Sequence, residues 1–223
     1  MTRVLLCVVA LLTSAAIGLD GQTPAASPPP AAAKFLTRTT PPLERYTARR
    51  RLEGANPRFG KQGWLEVRTE FGPAGFSYTV LSEGGAGIVR NRALYPVLEG
   101  EKDALRGRSA AALTDMNYAF ADAGQQGGLP LLRLTPRRKD KVLVDGWLVL
   151  APNADGFVEL RGRLAKMPSF WTTNVEIVRR QERLAGVWVP VRVESTASIR
   201  IIGQSSFSMT YTYETINGVS VAR

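Results

Sequence analysis

The sequence predicts an α+β protein that is mainly β, with an antiparallel sheet and one helical segment. Apolar and polar residues alternate through most segments after residue 43, which is the pattern of half-buried strands. Short turn sequences such as PRRKD, APNADG and LAG separate these segments. Parallel pairing would need longer crossovers, so we expect consecutive strands to form a meander.

Three strands are predicted first, in the segments RYTARRRLE, GWLEVRTEF and GFSYTVL. In each, apolar residues recur at alternate positions, and charged residues such as Arg49, Arg51 and Arg68 fall on the other face. The candidate inward-facing residues are Tyr46, Ala48, Leu52, Leu65, Val67, Phe71, Phe76, Tyr78 and Val80.

A change of period predicts helix over residues 88–113, where apolar residues recur at roughly helical spacing. Pro96 is expected to cap or kink this helix. The acidic residues Glu99, Glu101 and Asp103 are interpreted as a solvated helix face.

The remainder is predicted to be strand again, ending in the segment SFSMTYTY. There the large residues Phe207, Met209, Tyr211 and Tyr213 alternate with Ser and Thr, so one face is expected to be buried. At Asp145-Gly146 we expect a β-bulge, because the strand pattern continues through these residues.

The N-terminal residues are predicted to lie outside the folded domain. Residues 1–18 combine Arg3, a short apolar run and small residues, as in a secretory signal peptide. Residues 19–42 are rich in Pro and Ala and are expected to be a disordered linker. The folded domain is then expected over residues 43–223, and Cys7 would be removed with the signal.

Net charge indicates the class of partner. The chain carries a formal charge of +10, which favours anionic partners. For an exported, periplasmic or secreted chain these are lipid headgroups, envelope polymers or an acidic protein. Nucleic acid is disfavoured, because the aromatic residues fall mostly on the faces opposite the charges.

The residue inventory restricts the chemistry. The sequence has no histidine and one cysteine, which excludes histidine-dependent nucleophiles and the usual zinc and copper sites. We expect no catalytic residue, no metal and no cofactor.

The segment from Gly156 to Gly218, which contains Gly186-Val187-Trp188-Val189-Pro190 in a G-x-W-x-P arrangement, resembles the LolA/LolB-like lipoprotein-sorting superfamily, which includes the regulator RseB. The resemblance is one of layout over residues 43–218. It implies a strongly curved antiparallel sheet, an incomplete barrel, with a helical lid or plug. In the carrier members an apolar hollow accepts acyl chains, and an Arg on the second strand holds the lid; Arg68 is the residue at that position here.

Three hypotheses about function follow, of which a carboxylate-based enzyme is the third and lowest in rank. The first is a non-enzymatic carrier of a lipid or acylated protein, with peripheral membrane contact. The second is an RseB-like module that acts through its basic surface on an envelope membrane protein. Oligomeric state stays open. The candidate ligand-binding residues are Leu65, Val67, Phe76, Tyr78, Val80, Phe207, Met209, Tyr211 and Tyr213, and the candidate rim or latch residues are Arg68, Arg137 and Arg138.

Overall fold

A computed structural model describes residues 27–104 and 111–221. The predicted signal peptide lies outside these residues. The eleven strands are β1 Tyr46–Asn56, β2 Lys61–Gly72, β3 Gly75–Gly85, β4 Tyr118–Gln126, β5 Leu129–Pro136, β6 Val144–Leu150, β7 Phe157–Leu164, β8 Thr172–Leu184, β9 Val187–Ile199, β10 Gly203–Ile216 and β11 Val219–Ser220. A short 3₁₀ turn, Pro57–Phe59, joins β1 to β2.

The strands form one antiparallel sheet in the order β3-β2-β1-β10-β9-β8-β7-β6-β5-β4, with β11 paired to β10. The sheet is not closed, so β3 and β4 are its two edges. From β4 to β10 the strands follow one another as the predicted meander, and β1 joins β10 from the other end of the chain. The predicted class, mainly β with an antiparallel sheet and a helical element, is confirmed.

Helix α1, Pro30–Leu36, lies within the segment predicted to be a disordered linker. Its Ala32 and Phe35 are fully buried against the strands β4 to β8. Disorder is therefore the wrong expectation for residues 30–36. The Pro- and Ala-rich composition favours an extended chain. Burial of the two apolar side chains, Ala32 and Phe35, supplies hydrophobic stabilisation that composition alone does not reveal.

A continuous helical segment covers the other part of the sheet. It consists of α2 Gly87–Val89, a π-helical turn Arg90–Leu94 and α3 Tyr95–Ala104, and we call residues 87–104 the covering helix. Pro96 is the second residue of α3, separated from the wider turn by Tyr95. Such a position near a widened turn suits a residue that cannot donate a backbone hydrogen bond to the preceding turn. The predicted helix is thus observed, while its C-terminal part, residues 105–110, lies outside the described residues.

Two core clusters result. The first core cluster joins the inner faces of β1, β2, β9 and β10 to Leu94, Val97 and Leu98 of the covering helix. The second core cluster joins β4 to β8 to α1. Among the described residues no helix has the length and apolar character needed to span a membrane.

No β-bulge occurs at Asp145-Gly146, so that prediction is wrong. Gly146 pairs in regular register with Gly162 of β7, and the register shifts only between Val149 and Leu150. A Cβ on Gly146 would lie 2.0 Å from the Arg161 carbonyl oxygen. The glycine is needed for close approach of the two strands.

Candidate ligand-binding face and its covering helix

The apolar inner face of β1, β2, β9 and β10 is the candidate ligand-binding face. Six of the nine predicted ligand-binding residues are buried in the first core cluster: Leu65, Val67, Phe207, Met209, Tyr211 and Tyr213. Phe76 and Tyr78 on β3 are half-buried against the same cluster, whereas Val80 is partly exposed near the edge of the sheet. The covering helix closes this face from above, and contact with a ligand stays a prediction.

Two glycines let the covering helix approach the sheet. A Cβ on Gly54 of β1 would lie 3.0 Å from Cγ1 of Val89, and one on Gly63 of β2 would lie 3.2 Å from Cβ of Val89. Both separations are shorter than ordinary van der Waals contact. The first turn of the helix therefore rests directly on the backbones of β1 and β2.

A buried ion pair fixes the covering helix to the face. Arg50 of β1 points inward and is 1% exposed, and Glu101 of α3 is 2% exposed. Nη1 of Arg50 donates to Oε2 of Glu101 at 2.5 Å, and Nη2 donates to the hydroxyl of Tyr46. Burial alone would lower the pKa of Arg50, but the Glu101 carboxylate raises it above its ordinary value. The interpretation of Glu101 as part of a solvated face is therefore wrong; the Asp103 side chain lies outside the described part of the chain.

Aromatic rings surround the guanidinium of Arg50. Its Cζ lies 4.5 Å from the centroid of the Tyr211 ring and 5.2 Å from that of Phe76. Tyr211 and Tyr213 stack with centroids 5.9 Å apart, and the Tyr213 hydroxyl donates to the Pro190 carbonyl at 2.9 Å. These cation–π contacts stabilise a charge that is removed from water.

A second arginine points into the sheet interior on β8. Arg179 is 5% exposed, and its Cζ lies 5.6 Å from the centroid of the Phe157 ring. Burial lowers its pKa to about 10, so the group remains charged at neutral pH. The inner face thus carries two cationic groups, Arg50 and Arg179, within a mostly apolar surface.

The exposed side of the covering helix is held to the edge strand β3. The Tyr78 hydroxyl donates to Oε1 of Glu99 at 2.6 Å, and the Tyr95 hydroxyl donates to Glu83. Arg90 adds an ion pair to Glu83, with its Nη2 3.3 Å from Oε1. Solvent-exposed contacts of this kind stabilise weakly, so the apolar packing and the buried pair are the main attachments of the helix.

Arg68, the residue expected to hold the lid, lies on the opposite face of the sheet. It is exposed, and its Nη1 and Nη2 pair with Glu70 at 2.9 Å and with Glu214 at 3.0 Å. This is a correction to the expected latch, because strand parity turns Arg68 away from the covering helix.

The other two predicted rim residues lie at one end of the sheet, between β5 and β6. Nε of Arg137 donates to the Asp115 carbonyl at 2.6 Å, and Arg138 pairs with Asp140 and donates to Asn117. Both arginines are exposed. Within the described residues, no group of three or more His, Cys, Asp or Glu side chains is arranged to hold a metal ion.

Buried tyrosines give this fold a defined response to high pH. Burial raises the pKa of Tyr118 to about 12 and raises those of Tyr211 and Tyr213 above the ordinary value of 10.0. The folded chain favours the protonated phenols, so this contribution to stability is complete below about pH 10 and is lost as the pH rises further. We expect tyrosinate absorbance from these residues to appear together with the loss of near-ultraviolet circular dichroism. Ionisation near pH 10 in a chain that stays folded would contradict this.

These features define an open antiparallel sheet whose apolar inner face is covered by two helical segments, the covering helix over β1, β2, β9 and β10 and α1 over β4 to β8. No family model matches the sequence, and no curated protein matches it. One solved structure similar to this chain is a DUF1329 family protein from Desulfovibrio piger, with 10% sequence identity, a TM-score of 0.40, and coverage of 85% of this chain and 92% of that one. Another is a putative outer membrane lipoprotein-sorting protein domain from Vibrio parahaemolyticus, with 10% identity, a TM-score of 0.40, and coverage of 86% and 93%.

Proposed function

We propose that this chain is an exported, non-enzymatic carrier that binds a lipid or an acylated protein on the inner face of β1, β2, β9 and β10. The observation that carries the proposal is the construction of this face. It is apolar and buried, yet one continuous helix covers it, and that helix is attached through side chains that can separate.

An acyl chain would take the place of the covering helix. Leu94, Val97 and Leu98 now bury the inner face, and a long hydrocarbon chain supplies equivalent contacts. Each methylene removed from water contributes about 0.8 kcal/mol, so a long chain can offset the separation of the helix from the sheet. No reacting group is needed for such binding.

The inward cations suit an acidic group at the end of the ligand. When the covering helix moves away, Glu101 leaves with it, and Arg50 remains on β1 beside Tyr46 and Tyr211. A carboxylate or phosphate of the ligand could then replace the carboxylate of Glu101.

Export to the periplasm or beyond belongs to the same proposal and is supported by residues 1–18, which resemble a secretory signal peptide.

A disulfide between the sheet and the covering helix tests the proposal. Cγ1 of Val89 lies 3.0 Å from the Cβ that residue 54 would carry, so Gly54→Cys with Val89→Cys places two thiols within bonding reach. Cys7→Ser is added so that the engineered pair are the only thiols. Because residues 87–104 are continuous, a tether in the first turn restrains the whole covering helix.

We expect this variant to bind a fluorescent fatty acid when it is reduced and to bind it much more weakly when it is oxidised. The same protein in its two redox states is the matched control, since composition and fold are unchanged. Equal binding in both states would refute a ligand site beneath the helix. Absence of fatty acid and of co-purifying lipid from the reduced form would refute the carrier and favour the regulatory module.

A further inference from the structure

One end of the sheet presents a continuous series of turns. The 3₁₀ turn after β1 meets the β9–β10 turn, because Nδ2 of Asn56 donates to the carbonyl of Ile202 at 3.3 Å. The β9–β10 turn meets the β7–β8 loop, because the Arg200 amide donates to the Trp171 carbonyl at 2.8 Å. The β7–β8 loop in turn meets the β5–β6 connection, where the Ala165 amide donates to the Leu143 carbonyl at 2.8 Å. We call residues 57–61, 111–117, 137–143, 165–171 and 200–202 the turn rim.

Large apolar side chains project from this rim into solvent. Phe170 is 74% exposed and Ile201 is 73% exposed, and Phe170 meets Trp171 in an edge-to-face contact. The exposed large apolar residues of the rim are Phe59, Met116, Phe170, Trp171 and Ile201. At the opposite end of the sheet, within the described residues, Val219 is the exposed residue of this kind. Of the ten exposed large apolar residues in the described part of the chain, five therefore lie on the turn rim and one at the opposite end. The other four, Val80, Leu81, Ile88 and Trp147, lie on β3, the covering helix and β6.

Ile201 has a backbone conformation that is sterically unfavourable for a β-branched side chain. Its φ is +71°, in the left-handed region where Gly and Asn are favoured and a β-branched residue is an outlier. An asparagine there would be easier to accommodate and would also suit the exposed position. Such strain at an exposed apolar tip points to a role outside the fold itself.

Positive charge accompanies the apolar residues. The rim has eight exposed basic side chains against two acidic ones, Asp115 and Asp140. The basic residues are Arg58, Lys61, Arg137, Arg138, Lys139, Lys141, Lys166 and Arg200. Cations directly adjoin the apolar tips: Arg58 precedes Phe59, and Cζ of Arg200 lies 4.7 Å from the centroid of the Phe170 ring.

We propose that the turn rim docks on the surface of an anionic phospholipid bilayer. Phe59, Phe170, Trp171 and Ile201 insert at the boundary between headgroups and acyl chains, where aromatic side chains are favoured. The basic residues beside them bind the anionic headgroups. The exposed apolar residues lie in separate turns, each beside a basic residue. This arrangement suits a lipid bilayer, which adapts to separate insertions, better than a protein interface, which needs one closely packed apolar patch. This surface lies outside the face beneath the covering helix, so the inference does not depend on the proposed ligand.

Co-sedimentation with vesicles tests the inference. We expect the full chain to bind vesicles of equimolar phosphatidylcholine and phosphatidylglycerol, to bind phosphatidylcholine vesicles much less, and to dissociate as salt is raised. Ile201→Asn should lower the bound fraction several-fold while leaving the thermal midpoint unchanged or higher, since it relieves strain. Val219→Asn is the matched control at the opposite end and should bind like the parent chain.

Charge reversals separate local docking from net charge. Arg58→Glu with Lys166→Glu lies on the rim, and Arg45→Glu with Arg183→Glu makes the same change in net charge at the opposite end. We expect only the rim pair to abolish binding to the anionic vesicles. Equal losses in the two pairs, or a parent chain that does not bind these vesicles, would overturn the inference. All variants keep the same N-terminal segment, so any vesicle binding by that segment contributes equally to each variant and does not affect the differences between them.

Discussion

Replacement of Glu101 by leucine is expected to lower the free energy of unfolding by about 3–5 kcal/mol, the usual result of removing one partner of a buried ion pair. The guanidinium of Arg50 would remain 1% exposed, with Tyr46 and the rings of Phe76 and Tyr211 as its neighbours. These groups do not neutralise a charge removed from water. Urea unfolding followed by circular dichroism measures the change.

Two comparisons separate this loss from general damage to the helix. Glu99→Leu lies on the same helix and removes an exposed contact with Tyr78, so it should cost less than about 1 kcal/mol. Arg50→Met combined with Glu101→Leu removes both charges and should recover most of the stability lost in the single variant. If the double variant were as unstable as Glu101→Leu alone, the ion pair would not be the source of the effect.

The same variants report on the covering helix. Loss of the Glu101 carboxylate removes the buried ion pair between α3 and β1, while the apolar packing and the exposed contacts to β3 remain. The helix can then separate from the sheet at a smaller cost, and Arg50 regains water when it does. The amides of the covering helix should therefore exchange faster than those of β1 in Glu101→Leu.

Strand pattern predicted the fold because apolar residues alternate with polar ones through most of the strands. In β10 the residues Phe207, Met209, Tyr211 and Tyr213 are buried, and Ser and Thr lie between them on the wetter face. The turns between the strands are too short for the crossovers that parallel pairing requires, so antiparallel pairing was predicted. The meander from β4 to β10 has that form. The position of β1 beside β10 is a non-local pairing, for which local periodicity carries no signal.

The central ion pair was missed although both positions carried a signal. Arg50 has the same strand parity as Ala48 and Leu52, which places it on the inner face. Glu101 follows Val97 by four residues, so both lie on one face of the helix. The general rule that charged residues face water led us to disregard these spacings. That rule does not apply to a charged residue that has a buried partner of opposite charge.

The preference for Arg68 failed for the converse reason. A resemblance in layout assigned the latch by strand number, whereas parity turned Arg68 toward Glu70 and Glu214 on the outer face. The strand that carries an inward-facing cation is determined by where Arg falls in the alternation of inward and outward positions along each strand. The chain places that cation one strand earlier, on β1.

The segment before residue 43 gives the second large prediction. Phe35→Ala is expected to lower the free energy of unfolding by about 3–5 kcal/mol, the usual cost of truncating a fully buried phenylalanine. Phe35 packs near Phe120, with ring centroids 6.4 Å apart, and Cζ of Arg38 lies 3.7 Å from the centroid of its ring. Lys34→Ala, its exposed neighbour on the same helix, should change stability by less than about 0.5 kcal/mol.

The size of this effect decides whether α1 is part of the domain. A helix of seven residues is not stable alone in water, and α1 has no side-chain cap at its N-terminus. Its order must therefore come from Ala32 and Phe35 in the second core cluster, where β4 is the exposed edge of the sheet. A small loss in Phe35→Ala would mean that the segment is a peripheral tail. A loss in the expected range would mean that the domain includes α1 from Pro30 onward, and that the sheet needs a helix over each of its two halves.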